Sequence, residues 1–303
     1  MSSRRVQRTD VWPNSRGKMR MKSMKTKGTS RTGAARLAWL GVPLAVLTAW
    51  VVPAAAQSGI DEINVPLSAP GQPVVLDVQL LNGSISVQGH EGNELVVDIE
   101  PEVSREKEER ADGMKRIPNT GLGLTIEEES NVVEIRGDWS SRVRGIRIRV
   151  PRKTSMRLST TNNGHISVDG VVGEHELNNT NGRIEATNVS GSVIAQTVNG
   201  HVIVTFDAID ADTPMSFVTL NGNVDVTFPA GTTADLVMNA GQGEIYTDFD
   251  VEVIPQELSV TERGEGGRYR LRVEREVRGS IGGGGPEMRF KTLHGNLYVR
   301  KRN

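Results

Sequence analysis

The sequence predicts an all-β protein built as a repetitive β-solenoid, a β-helix-like stack of short strands with Asn-Gly turns. Three observations predict this class. A unit centred on Asn-Gly or a variant of it recurs seven times, and from Gly164 to Gly243 its glycines step by 18, 18, 22 and 21 residues, a spacing typical of solenoids. Around each glycine, apolar and polar residues alternate in the same order. The chain has 33 glycines but only 12 aromatic residues, which suits thin coils packed by aliphatic side chains.

The strand after each turn is predicted from this alternation. The second residue after the glycine is a branched aliphatic in all seven copies, and the residue that follows it is mostly polar. A period of two indicates a strand with one buried face. The predicted buried column is Ile85, Ile166, Ile184, Val202, Val224, Ile245 and Leu297. The turn glycines are Gly83, Gly164, Gly182, Gly200, Gly222, Gly243 and Gly295. We expect these glycines to supply the positive φ that a sharp corner needs.

A second strand is predicted before each turn. The position three residues before the glycine holds Thr or Asn in most copies, and its members are Leu80, Thr161, Asn179, Thr197, Thr219, Ala240 and Thr292. We expect an inward column whose members hydrogen-bond along the stack. Two arrangements of the strands are open at this point. The aligned columns favour parallel stacking of successive copies, whereas Asn-Gly alone would also suit an antiparallel meander of hairpins.

Residues 1–56 predict an export signal. Residues 1–36 carry eleven Lys and Arg but one acidic residue, and residues 37–52 form an apolar run without a charge. Ala54, Ala55 and Ala56 follow, so cleavage is predicted after Ala56. An uncleaved inner-membrane anchor is the alternative, but sixteen apolar residues are fewer than the ~20 that span a bilayer. We therefore expect contact with a membrane only transiently, through this signal.

The rest of the chain is acidic. It holds 25 Lys and Arg against 36 Asp and Glu, a balance of −11 that the basic head hides in the overall net charge of −1. A folded nucleic-acid-binding protein would keep a basic surface in its body, so no nucleic-acid partner is expected. The chain has no cysteine, which excludes disulfides, thiol catalysis and cysteine-ligated metals.

Two parts are predicted after the signal. Residues 57–157 form an N-terminal strand-rich part with a charged insertion at 104–115, and residues 158–303 form the β-strand repeat part. The arginine-rich run at 142–149 is interpreted as a solvated strand face that balances the acidic run at 127–129, in preference to a polyanion site. A further strand is predicted at 269–273. The glycine tract at 282–285 lacks the Lys-Ser/Thr of a phosphate loop and is interpreted as a corner.

Candidate binding residues follow the turn glycines. His165, Arg183 and His201 occupy this position in three successive copies, so parallel stacking would place them in an outward ladder suited to an anion or an acidic sugar. The alternative is a solvated turn column without a ligand. Two histidines separated by an arginine make a poor metal pair, and neither a metal nor a cofactor is expected.

Catalysis is not expected. Glu185 and Asp225 share an outward column two copies apart with Ile203 between them, and this spacing could suit an inverting glycosidase. However, acidic residues on an outward strand face are usually only solvated, and no aromatic residue that would grip a sugar is expected nearby. The chain also lacks a nucleophile elbow, an HExxH motif and an EF-hand loop.

Three segments carry a family resemblance. The run at 146–151, the segment at 158–170 and the final copy at 291–299 resemble the family of exported bacterial β-strand-repeat proteins known as putative adhesins, a domain of unknown function. The resemblance implies a β-solenoid-like fold and an envelope or surface location, and it brings no catalytic residues. Gln242-Gly243 and His294-Gly295 depart from the Asn-Gly that is usual in this family.

These observations predict a non-enzymatic exported protein of the periplasm, the outer surface or the medium. It would be adhesin-like and would present a repetitive polar β face to a polysaccharide or protein partner. A self-assembling, filament-like envelope element is the alternative, because uncapped solenoids polymerise end to end and the repeat loosely resembles that of bactofilin-type filaments. A carbohydrate-active β-helix enzyme is the third hypothesis.

Overall fold

The structure is a computed structural model, and it describes residues 62–102, 121–255 and 276–302. All the regular secondary structure within these ranges is β-strand, so the all-β prediction is confirmed. The part of the chain that is described contains no helix with the length and hydropathy needed to cross a membrane. The predicted export signal, the charged insertion at 104–115 and the predicted strand at 269–273 lie outside the described residues.

Twenty strands are numbered in chain order. The first seven are β1 (Ile63–Val65), β2 (Val74–Asn82), β3 (Ser84–His90), β4 (Leu95–Pro101), β5 (Leu124–Glu129), β6 (Val132–Gly137) and β7 (Val143–Pro151). The next seven are β8 (Thr154–Asn162), β9 (Ile166–Asp169), β10 (Val172–Asn179), β11 (Ile184–Gln196), β12 (Val202–Ile209), β13 (Met215–Val218) and β14 (Val224–Phe228). The last six are β15 (Ala234–Ala240), β16 (Ile245–Thr247), β17 (Glu252–Ile254), β18 (Val277–Ile281), β19 (Glu287–Thr292) and β20 (Leu297–Lys301).

The strands that precede the turns pair side by side in one set, here called ladder A. Its order is β6, β2, β8, β10, the second half of β11, β13, β19 and β15, and all of these pairs are parallel. The strands that follow the turns form ladder B. Its order is β7, β3, β9, the first half of β11, β12, β14, β20 and β16, again with parallel pairs. Hairpins would have paired successive strands antiparallel.

The aliphatic column of ladder B is held in register. Ile85, Ile166, Ile184, Val202, Val224, Leu297 and Ile245 are consecutive partners. The first six have no exposed surface, because a neighbouring strand covers them on each side. Ile245 is only partly buried, since β16 is the outermost strand of the ladder.

The last copy of the repeat leaves the chain order. Its strand β20 lies between β14 and β16, so Leu297 pairs with Val224 on one side and with Ile245 on the other. Likewise, β19 lies between β13 and β15. The sequence suggests a simple succession of copies, but the structure places the seventh copy between the fifth and the sixth.

Four phenylalanines join the two ladders. Phe206 and Phe228 belong to ladder B and stack with their ring centroids 5.2 Å apart, and Phe217 and Phe290 do the same in ladder A. Each pair meets the other edge to face, with centroids 6.2 to 6.3 Å apart. All four rings are fully buried. Such pairs add a directional attraction to the burial of apolar area, so this cluster fixes how the ladders pack at the fourth, fifth and seventh copies.

One of the buried side chains among the described residues is an imidazole. His175 of β10 lies between Met156 of β8 and Val193 of β11 and is only 2 % exposed. Neither ring nitrogen has a hydrogen-bond partner with good geometry among the described residues. Burial lowers the pKa of this imidazole to about 4, and the nearby backbone of Ser190 offsets that effect only in part. His175 is therefore neutral at pH 7.

The ends of both ladders carry antiparallel strands. In ladder A, β5 covers β6, and β18 and then β17 cover β15. In ladder B, β4 and then β1 cover β7, whereas β16 is left as a short edge of three residues. The edge strand β5 ends in the acidic run 127–129. Short strands and charges are features that discourage pairing between sheet edges.

The arginine-rich run lies largely in β7, but its partners differ from those expected. Arg147 pairs with Glu100 at 3.1 Å, and Arg149 pairs with Glu62. The acidic run at 127–129 does not balance them, because β5 belongs to the other ladder. Glu128 instead accepts hydrogen bonds from the backbone and hydroxyl of Ser68, and this contact lowers the pKa of its carboxyl.

Candidate functional site

The Asn-Gly turns of neighbouring copies lie next to one another and form a continuous border between the ladders, here called the turn edge. Its glycines are in unusually close contact. A Cβ atom added to Gly164, Gly182, Gly200, Gly222, Gly295 or Gly243 would lie 1.8 to 2.2 Å from the carbonyl oxygen of the glycine in the neighbouring copy. The glycines are therefore required because the backbones of neighbouring copies approach so closely.

This finding corrects the reason expected for the turn glycines. Gly83, Gly222 and Gly295 do have positive φ values, of 105°, 158° and 153°. Gly164, Gly182, Gly200 and Gly243 lack a positive φ, so the prediction was wrong for these four. In the second copy, Asn163 has the positive φ instead (52°). The turn of this copy contains one residue more than the other turns, and Asn163 is that additional residue.

The additional residue shifts the inward column. Thr160 is buried and pairs with Leu80, whereas Thr161 is only partly buried, so the assignment of Thr161 to this column was wrong. The column members do not bond to one another either. Each of its five polar members donates a hydrogen bond of 2.8 to 2.9 Å to the glycine carbonyl of the neighbouring copy: Thr160 to Gly83, Asn179 to Gly164, Thr197 to Gly182, Thr219 to Gly200 and Thr292 to Gly222. These bonds satisfy carbonyls that the tight stacking shields from water.

The asparagine before each glycine builds a second chain of hydrogen bonds on the outside. Asn221 donates through Nδ2 to Oδ1 of Asn199 at 2.7 Å, and Asn199 donates to Asn181 at 2.8 Å. Asn181 donates to Asn162 at 3.3 Å, and Nδ1 of His294 lies 2.9 Å from Oδ1 of Asn221. We call these five residues the Asn ladder.

The predicted binding residues lie just beyond the glycines. His165, Arg183 and His201 are exposed and occupy three neighbouring copies. Nδ1 of His165 accepts a hydrogen bond from the backbone of Arg183 at 3.2 Å, and Nδ1 of His201 accepts one from the backbone of Asn223 at 2.9 Å. The Arg183 guanidinium lies 3.2 Å from Glu185. The column therefore links the copies, which leaves only Nε2 of each imidazole for a ligand.

The same link occurs at other members of this column. Ser84 Oγ accepts from the backbone of His165, Asn223 Oδ1 accepts from that of Asn296, and Asn296 Oδ1 accepts from that of Glu244. Sequence reasoning missed this role. The signal was present, because Ser, His and Asn all offer an acceptor atom at that distance from the backbone.

A groove of about 480 Å³ runs along ladder A beside the turn edge. Five neighbouring strands contribute to it: β8, β10, β11, β13 and β19. Its outward-facing strand residues are Ser159, Asn178, Gln196, Val218 and Lys291, and its turn residues are Thr180, Val198, Leu220 and Leu293. None of these residues was predicted as a binding residue.

The groove combines an aliphatic stripe with neutral polar groups. Val198, Leu220 and Leu293 come from successive copies and are 39 to 42 % exposed. The amides of Asn178 and Gln196 and the hydroxyl of Ser159 lie beside them, and Lys291 is the one charged residue in the lining. Each strand beneath the groove pairs on both sides, so its backbone offers no free edge to a partner strand. Side chains alone must bind a ligand here.

The two candidate catalytic carboxylates are both held by arginines. The register places Ile203 between Glu185 and Asp225, as expected. Glu185 pairs with Arg183, and Asp225 receives two hydrogen bonds from Arg300 at 2.7 and 3.0 Å. Aromatic residues do lie nearby, contrary to expectation. Tyr298 is the strand partner of Asp225 and stacks on Tyr246 with ring centroids 5.3 Å apart. Both carboxylates lie on ladder B, so neither belongs to the groove of ladder A.

The fold and this site define an all-β protein whose repeat copies pair in parallel and border a surface groove. No family model matches the chain, and no curated protein matches it. Among solved structures, it is similar to one described as a putative cell adhesion protein from Clostridium sporogenes. That match has 12 % sequence identity and a TM-score of 0.44, and it covers 80 % of this chain and 99 % of the other. The resemblance to the exported adhesin family therefore stays a prediction.

Proposed function

We propose that this chain is an exported, non-enzymatic protein of the cell envelope or cell surface that binds an extended neutral polysaccharide in the groove of ladder A. The repeat part would act as a β-solenoid-like, adhesin-type scaffold. The observation that carries the proposal is the composition of the groove, to which five successive strands each contribute side chains.

The repetition favours a polymer as the ligand. Neighbouring strands lie ~4.8 Å apart, so the five strands span about 19 Å along the groove. A chain of similar units can contact several copies at once, and linked weak contacts raise the overall affinity without any strong single site.

The lining favours a sugar chain over a peptide. An extended peptide usually binds by adding a strand to a free sheet edge, and the groove has no such edge. The amides of Asn178 and Gln196 can exchange hydrogen bonds with hydroxyl groups, and Leu220 and its neighbours can pack against the apolar C–H face of a sugar ring. A polyanion is not favoured, because Lys291 is the one charged group in the lining.

Parallel pairing in register supports the coil interpretation of the repeat. The glycine contacts support it as well, since they bring equivalent atoms of neighbouring copies together. The filament alternative gains no support, because antiparallel strands cover three of the four ladder ends among the described residues and the fourth ends in a three-residue strand.

The export part of the proposal can be tested on the protein recovered from cells. We expect the mature chain to begin at Gln57 and to be found outside the inner membrane. Replacing Ala54 and Ala56 with Lys should abolish cleavage, since signal peptidase needs small residues there. Intact-mass measurement of each cell fraction checks this. A full-length, cytoplasmic wild-type protein would contradict it.

The binding part can be tested with two matched glutamines. Gln196 lies in the groove, whereas Gln88 is an exposed strand residue of ladder B outside it. We expect the purified mature chain to bind at least one neutral glycan on an array of purified bacterial envelope polysaccharides and soluble peptidoglycan strands. Gln196→Ala should weaken that binding about tenfold through the loss of hydrogen bonds, and Gln88→Ala should leave it unchanged.

Three outcomes would overturn the groove as the site. They are no binding to any glycan, binding to acidic glycans alone, and equal effects of the two substitutions. Circular dichroism of both variants shows that any loss of binding does not come from unfolding.

A further inference from the structure

Five Asn-Gly dipeptides of this chain share a chemical liability. They are Asn82-Gly83, Asn163-Gly164, Asn181-Gly182, Asn199-Gly200 and Asn221-Gly222. In such a pair the glycine amide nitrogen can attack Cγ of the asparagine, because glycine has no side chain to hinder it. The new N–C bond closes a succinimide ring and the C–N bond to the side-chain amide breaks, which releases ammonia. Water then opens the ring to aspartate or isoaspartate.

The turn edge restrains the asparagine side chain in three of these pairs and both reactants in two of them. The side chains of Asn181, Asn199 and Asn221 each donate and accept a hydrogen bond within the Asn ladder, so these bonds must break before Cγ can turn toward the attacking nitrogen. The attacking nitrogens of Gly200 and Gly222 donate to carbonyl oxygens of the neighbouring copy at 3.0 and 2.9 Å.

The first copy is restrained in one respect. The nitrogen of Gly83 donates to the carbonyl oxygen of Asn162 at 3.2 Å, which ties up the nucleophile even though the Asn82 side chain has no such bond among the described residues. Asn82 should therefore react more slowly than a pair that lacks both restraints.

The pair Asn163-Gly164 lacks both restraints. Asn163 is the additional residue of its turn, it is exposed, and it has a φ of 52°. The ladder position in this copy belongs to Asn162, so the Asn163 side chain is left outside the ladder. Within the described ranges, neither its side chain nor the nitrogen of Gly164 makes a hydrogen bond.

We infer that Asn163 is a site of spontaneous deamidation in the folded protein, and that the Asn ladder protects the other Asn-Gly pairs. The reaction needs only water and places a carboxylate beside His165. Isoaspartate also adds a methylene to the backbone. It does so next to Gly164, whose Cα is so close to Gly83 that a Cβ would lie 1.9 Å from the Gly83 carbonyl oxygen. The product should therefore loosen the junction between β8 and β9.

The experiment is incubation of the full mature chain in mildly alkaline buffer at body temperature, followed by peptide mapping with mass spectrometry. We expect acid and isoaspartate to form at residue 163 at least about tenfold faster than at 181, 199 or 221, because reaction at those three requires local opening. In denaturant all five pairs should react at similar rates. Equal rates in the folded protein, or faster reaction within the ladder, would overturn the inference.

A variant of the ladder provides the second measurement. Asn221→Ala removes the donor to Oδ1 of Asn199 and should accelerate deamidation at Asn199. Asn178→Ala serves as the matched control, because Asn178 lies in the groove outside the Asn ladder and donates its hydrogen bond to Glu176 instead. An unchanged rate at Asn199 in Asn221→Ala, with the fold intact by circular dichroism, would show that the ladder is not protective.

Discussion

Gly200→Ala is expected to destabilise the protein by about 4 kcal/mol, near the upper limit for a single substitution. The added Cβ would lie 2.2 Å from the carbonyl oxygen of Gly182, 2.5 Å from its carbonyl carbon and 2.8 Å from the nitrogen of Arg183. All three are backbone atoms of a paired copy, so no side chain can turn away to make room. Neighbouring copies must separate, which also weakens the hydrogen bond from Thr219 to Gly200.

Gly231→Ala is the matched control for this substitution. A Cβ atom at Gly231 would have no atom within 4 Å, and this residue has no positive φ. Its free energy of unfolding should change by less than about 1 kcal/mol. Chemical denaturation of both variants measures the difference. Equal stabilities would mean that the glycine contacts at the turn edge do not limit the packing of the copies.

Acidification from pH 7 to pH 4 is expected to lower the free energy of unfolding by about 3 kcal/mol through His175 alone. The pKa of this histidine is about 4 in the folded protein and about 6.5 in the unfolded chain. Between these values the unfolded state binds more protons, so stability increases with pH. The contribution is complete above about pH 6.5 and is lost as the pH falls toward 4.

A substitution isolates this contribution from those of the carboxylates. His175→Leu fits a column of aliphatic and methionine side chains and should remove about 3 kcal/mol of the pH dependence, because nothing is left there to protonate. The wild-type protein, measured in parallel, should show the full dependence. Urea denaturation at a series of pH values makes the comparison. An unchanged slope for His175→Leu would mean that the imidazole is not confined in the core.

The alternation of apolar and polar residues could be interpreted from the sequence because it is local. A strand with one buried face needs an aliphatic residue at every second position, whichever strand lies beside it. Ile184, which has no exposed surface in the middle of ladder B, could be assigned to the buried face from the alternation within its own strand alone. The all-β class followed from such patterns.

Features that depend on contacts between copies could not be obtained in this way. The clash that excludes a side chain at Gly182 involves a carbonyl 18 residues earlier, at Gly164, and a period alone does not reveal how closely the two approach. The shift from Thr161 to Thr160 results from the conformation of Asn163, which the spacing of the repeat hides. The groove was missed for a related reason, since its aliphatic stripe forms only when the turns that hold Val198, Leu220 and Leu293 lie next to one another.

The place of the seventh copy has a consequence for how the molecule is completed. Residues 297–301 are synthesised after residues 224–247, yet β20 separates two strands of that earlier stretch, β14 and β16. Assembly therefore cannot advance through the copies strictly from the N-terminal end. The sixth copy must wait for the C-terminal strand before it can reach its final partner, and closing such a distant contact slows folding. Until that moment the aliphatic side chains of the fifth copy stay open to water, which leaves the newly made chain vulnerable to misassembly until β20 is in place.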